Sequence, residues 1–292
     1  MKLFKSLEKS IRNQRNRFFR KMFSRDFWKK IHLEGMSDNV LFITKQLKDH
    51  RLTFIPKEWI GSSIYKKGHY KRDIFEKIIS LLKKHELVNN KKNVIELGAN
   101  IGTHTIYMHL SKYFDHIFCV EADPENTKVL IQNLEQNNFL KNSTVISKAI
   151  NSYDGSVKLF KTINEFNLGY QSIINIENSD KYIDVKCNTL SSIFSINKID
   201  KQKIGFFWID LEGIEFNVIK QINSLVGYDI PILTEFSPYI YGEKKTQEFV
   251  LYLQEKYSYC YVIKENLEKL VKFCDNQKLD INFDQADLLL FN

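Results

Sequence analysis

Hydrophobic and polar positions divide the chain into three patterns. In residues 1–30, Leu3, Phe4, Leu7, Ile11, Phe18, Phe19, Met22, Phe23 and Phe27 recur at roughly helical spacing with Lys and Arg between them, interrupted by Arg15 on the apolar stripe. This predicts a basic amphipathic segment. From Asp73 to Leu87, the positions Ile74, Phe75, Ile78, Ile79, Leu81 and Leu82 give a stronger amphipathic helix, ending near Asn89-Asn90, within a helical lead-in and cap over residues 31–90. Beyond residue 91 short β-rich runs alternate with helical stretches. Asn93–Leu97, His116–Glu121, Thr144–Ser147, Gly205–Asp210 and Pro231–Phe236 read as strands of a parallel sheet. Val157–Phe160, Val185–Asn188 and Asp287–Phe291 read as additional strands. The pattern over 91–292 predicts an α/β domain of Rossmann type, with a mostly parallel sheet and helices on both faces.

Composition adds one fact. Of the formal charge of +8, residues 1–30 carry +9 from eleven Lys/Arg and two Asp/Glu, which leaves the rest of the chain at about −1. A neutral body argues against nucleic acid as a partner, while the basic segment suits an anionic membrane surface or an acidic partner. Cys119, Cys187, Cys260 and Cys274 are scattered, so neither a zinc site nor a disulfide framework is indicated and a reducing compartment fits. No apolar run is long enough to cross a bilayer, and no signal peptide is legible. The expected location is the cytoplasm, with peripheral contact at the membrane face through residues 1–30.

The chemistry begins where the first sheet strand ends. Val94-Ile95-Glu96-Leu97-Gly98-Ala99-Asn100-Ile101-Gly102 joins a buried strand to a helix through a turn of small residues, the place where open α/β sheets bind nucleotides. Gly98 and Gly102 allow tight turning and close backbone approach, and Asn100 stands where a dinucleotide fingerprint has its middle glycine. A pyrophosphate needs that middle glycine; a ligand with an amino-acid end does not. Glu96 is placed to accept from an ammonium group. Glu121, 25 residues on and followed by Ala122-Asp123-Pro124, can accept both ribose hydroxyls. The pair describes an aminoacyl nucleoside, held by Glu96, Gly98, Ala99, Asn100, Gly102, Glu121 and Ala122. His104 reads more readily as a packed or capping histidine than as a base.

These residues resemble the FkbM family of S-adenosylmethionine-dependent methyltransferases. The resemblance rests on Glu96–Gly102, Val120–Pro124, the Ala149–Phe160 stretch with Asp154-Gly155, and Ile209-Asp210-Leu211-Glu212-Gly213-Ile214-Glu215. It runs from about Gly68 to the C-terminus and leaves residues 1–60 outside. It implies a seven-stranded methyltransferase sheet, S-adenosyl-L-methionine as cofactor, and O-methylation of a sugar hydroxyl in a glycan, lipid-linked saccharide or related metabolite. It also implies a catalytic or methyl-proximal role for Asp210, which would touch the cofactor as well. Trp208 stands where many relatives carry a lysine, and Leu190-Ser191-Ser192 lacks a common Leu-Asp pair.

Asp210, Glu212 and Glu215 follow an apolar strand at the crevice of the sheet, where close carboxylates raise one another's pKa and one can act as base toward a hydroxyl. Glu235, at the end of the next strand, joins Asp210 and Glu212 as a catalytic candidate; for Glu215, stabilising a helix N-terminus is favoured. Such carboxylates suit Mg²⁺, but no residue is assigned to a metal. The absence of an Asn-Pro-Pro-aromatic element favours oxygen over exocyclic nitrogen, and Ser237-Pro238-Tyr239 matches it only superficially. The alternatives are an RNA methyltransferase using the basic arm, and a membrane- or glycan-binding module with a relict fold.

Overall fold

The computed structural model describes residues 12–17, 19, 20, 22, 24–37, 39–88, 90–161, 171–175 and 179–292. Residues 1–11, including the first apolar positions of the basic segment, lie outside it; residues 12–17 are helical.

The lead-in is less uniformly helical than its pattern suggests. Helix α1 (Arg25–Glu34) starts at Ser24, whose hydroxyl accepts from the Phe27 amide. Strands β1 (Ile43–Gln46) and β2 (Arg51–Phe54) then form an antiparallel hairpin. The hairpin is held from a distance: the Asn133 carboxamide accepts from Thr53 N and donates to Thr53 O. Four-residue strands have too few alternations to reveal themselves in sequence. Helices α2 (Trp59–Lys67) and α3 (Arg72–Lys84) follow. Helix α3 buries Ile74, Phe75, Ile78, Ile79, Leu81 and Leu82, as its spacing requires.

Beyond it come β3 (Asn93–Leu97), α4 (Thr103–Ser111), β4 (His116–Glu121), α5 (Pro124–Gln136), β5 (Ser143–Ser147), β6 (Ala149–Ile150), β7 (Gly155–Lys161), β8 (Gln171–Ser172), β9 (Tyr182–Asn188), α6 (Leu190–Ile196) and β10 (Ile204–Ile209). The chain ends with α7 (Glu215–Val226), β11 (Ile232–Phe236), α8 (Pro238–Tyr241), α9 (Glu243–Lys256), β12 (Tyr259–Lys264), β13 (Leu267–Lys272) and β14 (Ala286–Phe291).

The main sheet has the order β13-β12-β14-β11-β10-β3-β4-β5. Strands β11, β10, β3, β4 and β5 pair in parallel, and β14 is antiparallel to both β11 and β12. Eight strands replace the expected seven because β13 folds back on β12 as an edge hairpin. Only Val271 of β13 is buried, so no alternation announced it. The expected strands at Val157–Phe160 and Val185–Asn188 lie in a separate four-stranded sheet, β6-β9-β7-β8.

Strand periodicity sorts the core onto two faces. Ile95, Leu97, Phe207 and Ile209 pack with residues of α6, α7 and α9. Val94, Phe206 and Trp208 pack with α3, α4 and α5. β10 is buried at every position, as a strand covered on both faces must be. Among the described residues no helix is long and apolar enough to cross a membrane.

Candidate active site

A cleft of about 790 Å³ opens where β3, β4, β10 and β11 end, at the point where strand order reverses. Its base is the turn after β3. Gly98, Asn100 and Gly102 all have positive φ, of 87°, 50° and 85°. Gly98 N and Ala99 N both donate to Val120 O, and Asp210 N donates to Leu97 O, which draws β4 and β10 close around the turn. A Cβ on Gly98 would lie 1.8 Å from the Asp210 carbonyl oxygen, and one on Gly102 would lie 2.5 Å from Leu130 Cδ1. Gly98, Ala99 and Asn100 line the cleft, whereas Gly102 lies behind them, against Leu130.

Glu121 and Ala122 line the cleft beside this turn. The Glu121 carboxylate accepts from Asn100 N at 2.7 Å and from Asp123 N at 2.8 Å, which fixes its direction. Burial pushes its pKa up to about 7 despite those bonds. Glu96 is placed differently. It shares the strand face of Val94, beneath α4, where its carboxylate accepts from the Thr105 hydroxyl. It does not line the cleft, and burial raises its pKa to about 8. It ties β3 to the first turn of α4.

On the other side of the turn, Asp210, Glu212 and Glu235 each bring a carboxylate oxygen to within 4.8 Å of the others. All three line the cleft. A sharp bend at Glu212 (φ 51°) and Gly213 (φ 110°) turns the chain after β10. Glu215 holds that bend: its carboxylate accepts from Leu211 N, Gly213 N and the Tyr241 hydroxyl, and it is absent from the cleft wall. Burial, then repulsion from Glu235, raises the carboxyl groups of Asp210 and Glu212 well above the usual range. Asp287 is pushed up to about 6, again by burial first.

The positive charge here comes from a residue the sequence patterns do not single out. Lys71 caps α3 in the left-handed region (φ 48°) and puts its ammonium 3.6 Å from Glu235 Oε1. Burial opposes its charge, but Asp287, Tyr70, Glu235 and Asp210 hold its pKa well above that of a free lysine. Such a site can keep one carboxylate protonated and another ionised, which suits proton transfer. The three carboxylate oxygens are also close enough to hold a cation, although Lys71 already supplies positive charge there. A cluster of chemistry-bearing residues, His69-Tyr70-Lys71, directly ahead of an amphipathic helix was the available sequence signal.

Trp208 is buried and packs on His104, with ring centroids 4.6 Å apart, and on Phe75. His104 lines the cleft, and burial, aided by Lys71, depresses its pKa to about 3, so it stays neutral. That matches a packed histidine. Four residues that line the cleft each carry a buried polar atom without a hydrogen-bond partner: His69 Nδ1, Thr103 Oγ1, His104 Nε2 and Glu235 Oε2. Buried groups left unsatisfied call for a partner, and a ligand in the cleft is one that would supply it.

The family profile of the FkbM methyltransferase domain matches residues 96–261, a narrower stretch than Gly68 to the C-terminus. No curated protein matches the chain. Among solved structures, an FkbM methyltransferase from Methylobacillus flagellatus KT is 14% identical, with a TM-score of 0.42 over 69% of this chain and 44% of that one. The chain thus spans less than half of that relative. A precorrin-6y C5,15-methyltransferase from Geobacter metallireducens GS-15 is 10% identical, with a TM-score of 0.39 and coverage of 75% and 86%. A tRNA m1G37 methyltransferase from M. jannaschii is 12% identical, with a TM-score of 0.42 and coverage of 87% and 55%. With its profile match spanning more than half of the sequence, the chain belongs to the FkbM family of methyltransferases.

Proposed function

We propose that the cleft binds S-adenosylmethionine and that the protein methylates a hydroxyl group, that of a sugar in a glycan, lipid-linked saccharide or related metabolite. The observation that carries this reading is the joining, across one turn, of Glu121 to the group of Asp210, Glu212, Glu235 and Lys71. The residues fit the cofactor. Glu121 would accept from the ribose hydroxyls, apolar Ala149, Ile150 and Leu159 would flank the base, and the unpartnered Thr103 hydroxyl at the start of α4 would meet the amino-acid end. The floor at Gly98 has no room for a side chain.

When bound, S-adenosylmethionine supplies an electrophilic methyl on a sulfonium with a good leaving group. The chain has then to hold the acceptor oxygen in line and remove its proton. An ionised carboxylate among Asp210, Glu212 and Glu235 takes the proton. Lys71 donates to the acceptor oxygen and keeps the group from accumulating unopposed negative charge. Asp210, adjoining Gly98 through its own backbone, is the member closest to the cofactor turn.

The test is calorimetric titration of S-adenosylmethionine and S-adenosylhomocysteine into wild type and a Glu121→Ala variant. Loss of two hydrogen bonds to a charged acceptor should weaken binding roughly 100-fold or more. Absence of binding to folded wild type overturns the reading.

A pH dependence accompanies it. Glu121 titrates near pH 7 in the free protein, and the ribose hydroxyls need its ionised form. Binding then lowers its pKa, so affinity falls as pH drops through that value and levels off above it; from pH 8 to pH 6 the expected loss is roughly tenfold. Titrations in two buffers of different ionisation enthalpy should show proton release at low pH. Equal affinity at both pH values in wild type would remove Glu121 from the binding step.

A further inference from the structure

Helix α2 turns one complete face to the cleft. Trp59, Ser62, Ser63, Lys66 and Lys67, at spacings of three, four, seven and eight, all line it. The opposite face is anchored: Ile64 is fully buried, and the backbone at Gly61 lies so close to Ile55 that a Cβ would fall 1.8 Å from its carbonyl oxygen. The cleft face is therefore rigidly presented, yet its larger groups are unused by the fold. Trp59 is 70% exposed and stacks on no other ring among the described residues. The ammonium groups of Lys66 and Lys67 form no ion pair among those residues. A second exposed ring, Tyr239, lines the same cleft from the start of α8.

Lysines in the last turn of a helix also complement its dipole, but that does not explain a bare indole on the same face of a concave wall. An indole offers an apolar platform for the C–H face of a sugar ring, the Ser62 hydroxyl can exchange hydrogen bonds with sugar hydroxyls while that of Ser63 already donates to His69 O, and ammonium groups attract an anion. The cleft wall thus carries both signs of charge, with Lys66 and Lys67 contributed by α2 and Asp210, Glu212 and Glu235 contributed by the ends of β10 and β11. A polyanion lying along the whole cleft would meet those carboxylates. A ligand that offers neutral hydroxyls to the carboxylates and a single anionic group to the α2 lysines matches both sets of residues.

We infer that this face of α2 is the acceptor-recognition subsite and takes an anionic saccharide, a sugar carrying a phosphate or a carboxylate, with Trp59 against the ring and Lys66 and Lys67 on the anionic group. It deepens the reading of the protein as a sugar O-methyltransferase and rests on it. Helix α2 lies outside the family match at 96–261, so acceptor choice would be set by a segment that the family match does not include.

The test is an array of neutral, carboxylated and phosphorylated saccharides with short RNA oligonucleotides, probed with labelled full-length protein saturated with S-adenosylhomocysteine. Wild type, Trp59→Ala and the double variant Lys66→Glu/Lys67→Glu are compared. Binding confined to anionic saccharides, weakened roughly tenfold or more in both variants, is expected. The carboxylate and phosphate arms identify the anion. Equal binding of neutral saccharides, binding of RNA, no binding at all, or variants that bind like wild type overturns the inference. S-adenosylhomocysteine affinity, read separately by calorimetry, should be unchanged in the variants; its absence in wild type would sink the methyltransferase reading and leave the array to judge the α2 face alone.

Discussion

Replacing Gly98 with alanine is expected to destabilise the protein by about 2–5 kcal/mol and to abolish measurable S-adenosylhomocysteine binding. About 1–2 kcal/mol comes from forcing a side-chain-bearing residue into the left-handed region, and about 1–3 kcal/mol from overpacking. The conformational part is shared with Gly68, whose φ is +86° but whose Cβ would meet nothing within 4 Å. The Gly98 Cβ, by contrast, would fall 1.8 Å from the Asp210 carbonyl oxygen, so β3 and β10 must separate where the cofactor turn meets the carboxylate group. Urea midpoints of the two variants divide the cost: Gly68→Ala measures the backbone part, and the excess in Gly98→Ala measures the close approach. If the two variants lose equal stability, and Gly98→Ala still binds, the turn is not the tight joint between the two halves of the site.

That joint is also where sequence and structure agree best. Gly98, Asn100 and Gly102 carry the positive φ values that their residue types suggest, and each parallel strand falls within a residue of its apolar run. Local chemistry dictates such features. Asp210, Glu212 and Glu235, distant in sequence, come together because β10 and β11 are neighbours, an adjacency that alternating strands and helices already imply. Glu96 differs because its direction depends on strand phase: one residue decides whether a side chain faces the cleft or the underside of α4. Lys71 and the α2 face were legible only as residue types, Lys71 within the His69-Tyr70-Lys71 cluster, and not as parts of the site. They reach the cleft through packing of the lead-in on the sheet, and no pattern within residues 59–71 records where that helix docks. The edge strand β13 left no trace because it buries almost nothing.

Lys71 is where that hidden contribution has the largest expected chemical effect. In a Lys71→Met variant the backbone cap and much of the side-chain stem remain, and only the ammonium is removed. Turnover on the acceptor selected by the saccharide array should fall roughly 100-fold, the usual cost of losing one preorganised donor to an oxygen that takes on negative charge as its proton leaves. S-adenosylhomocysteine affinity should change far less than turnover, because Lys71 pairs with Glu235, whereas Glu121 is held by Asn100 N and Asp123 N. The pH profile separates this role from a merely structural one. Lys71 lowers the pKa of Asp210, Glu212 and Asp287, so its loss raises all three, and the rise of activity with pH should move to higher pH in the variant. Stability should follow the same sign. Carboxyl groups whose folded pKa lies above the unfolded value cost stability as pH rises past the unfolded value, so the melting temperature of the variant should fall increasingly below that of wild type between pH 5 and pH 8. Lys71→Arg, which keeps the charge, should restore the pH profile more fully than the rate. An unchanged pH profile in Lys71→Met, or a gap in melting temperature that does not widen with pH, would show that the ammonium does not face these carboxylates.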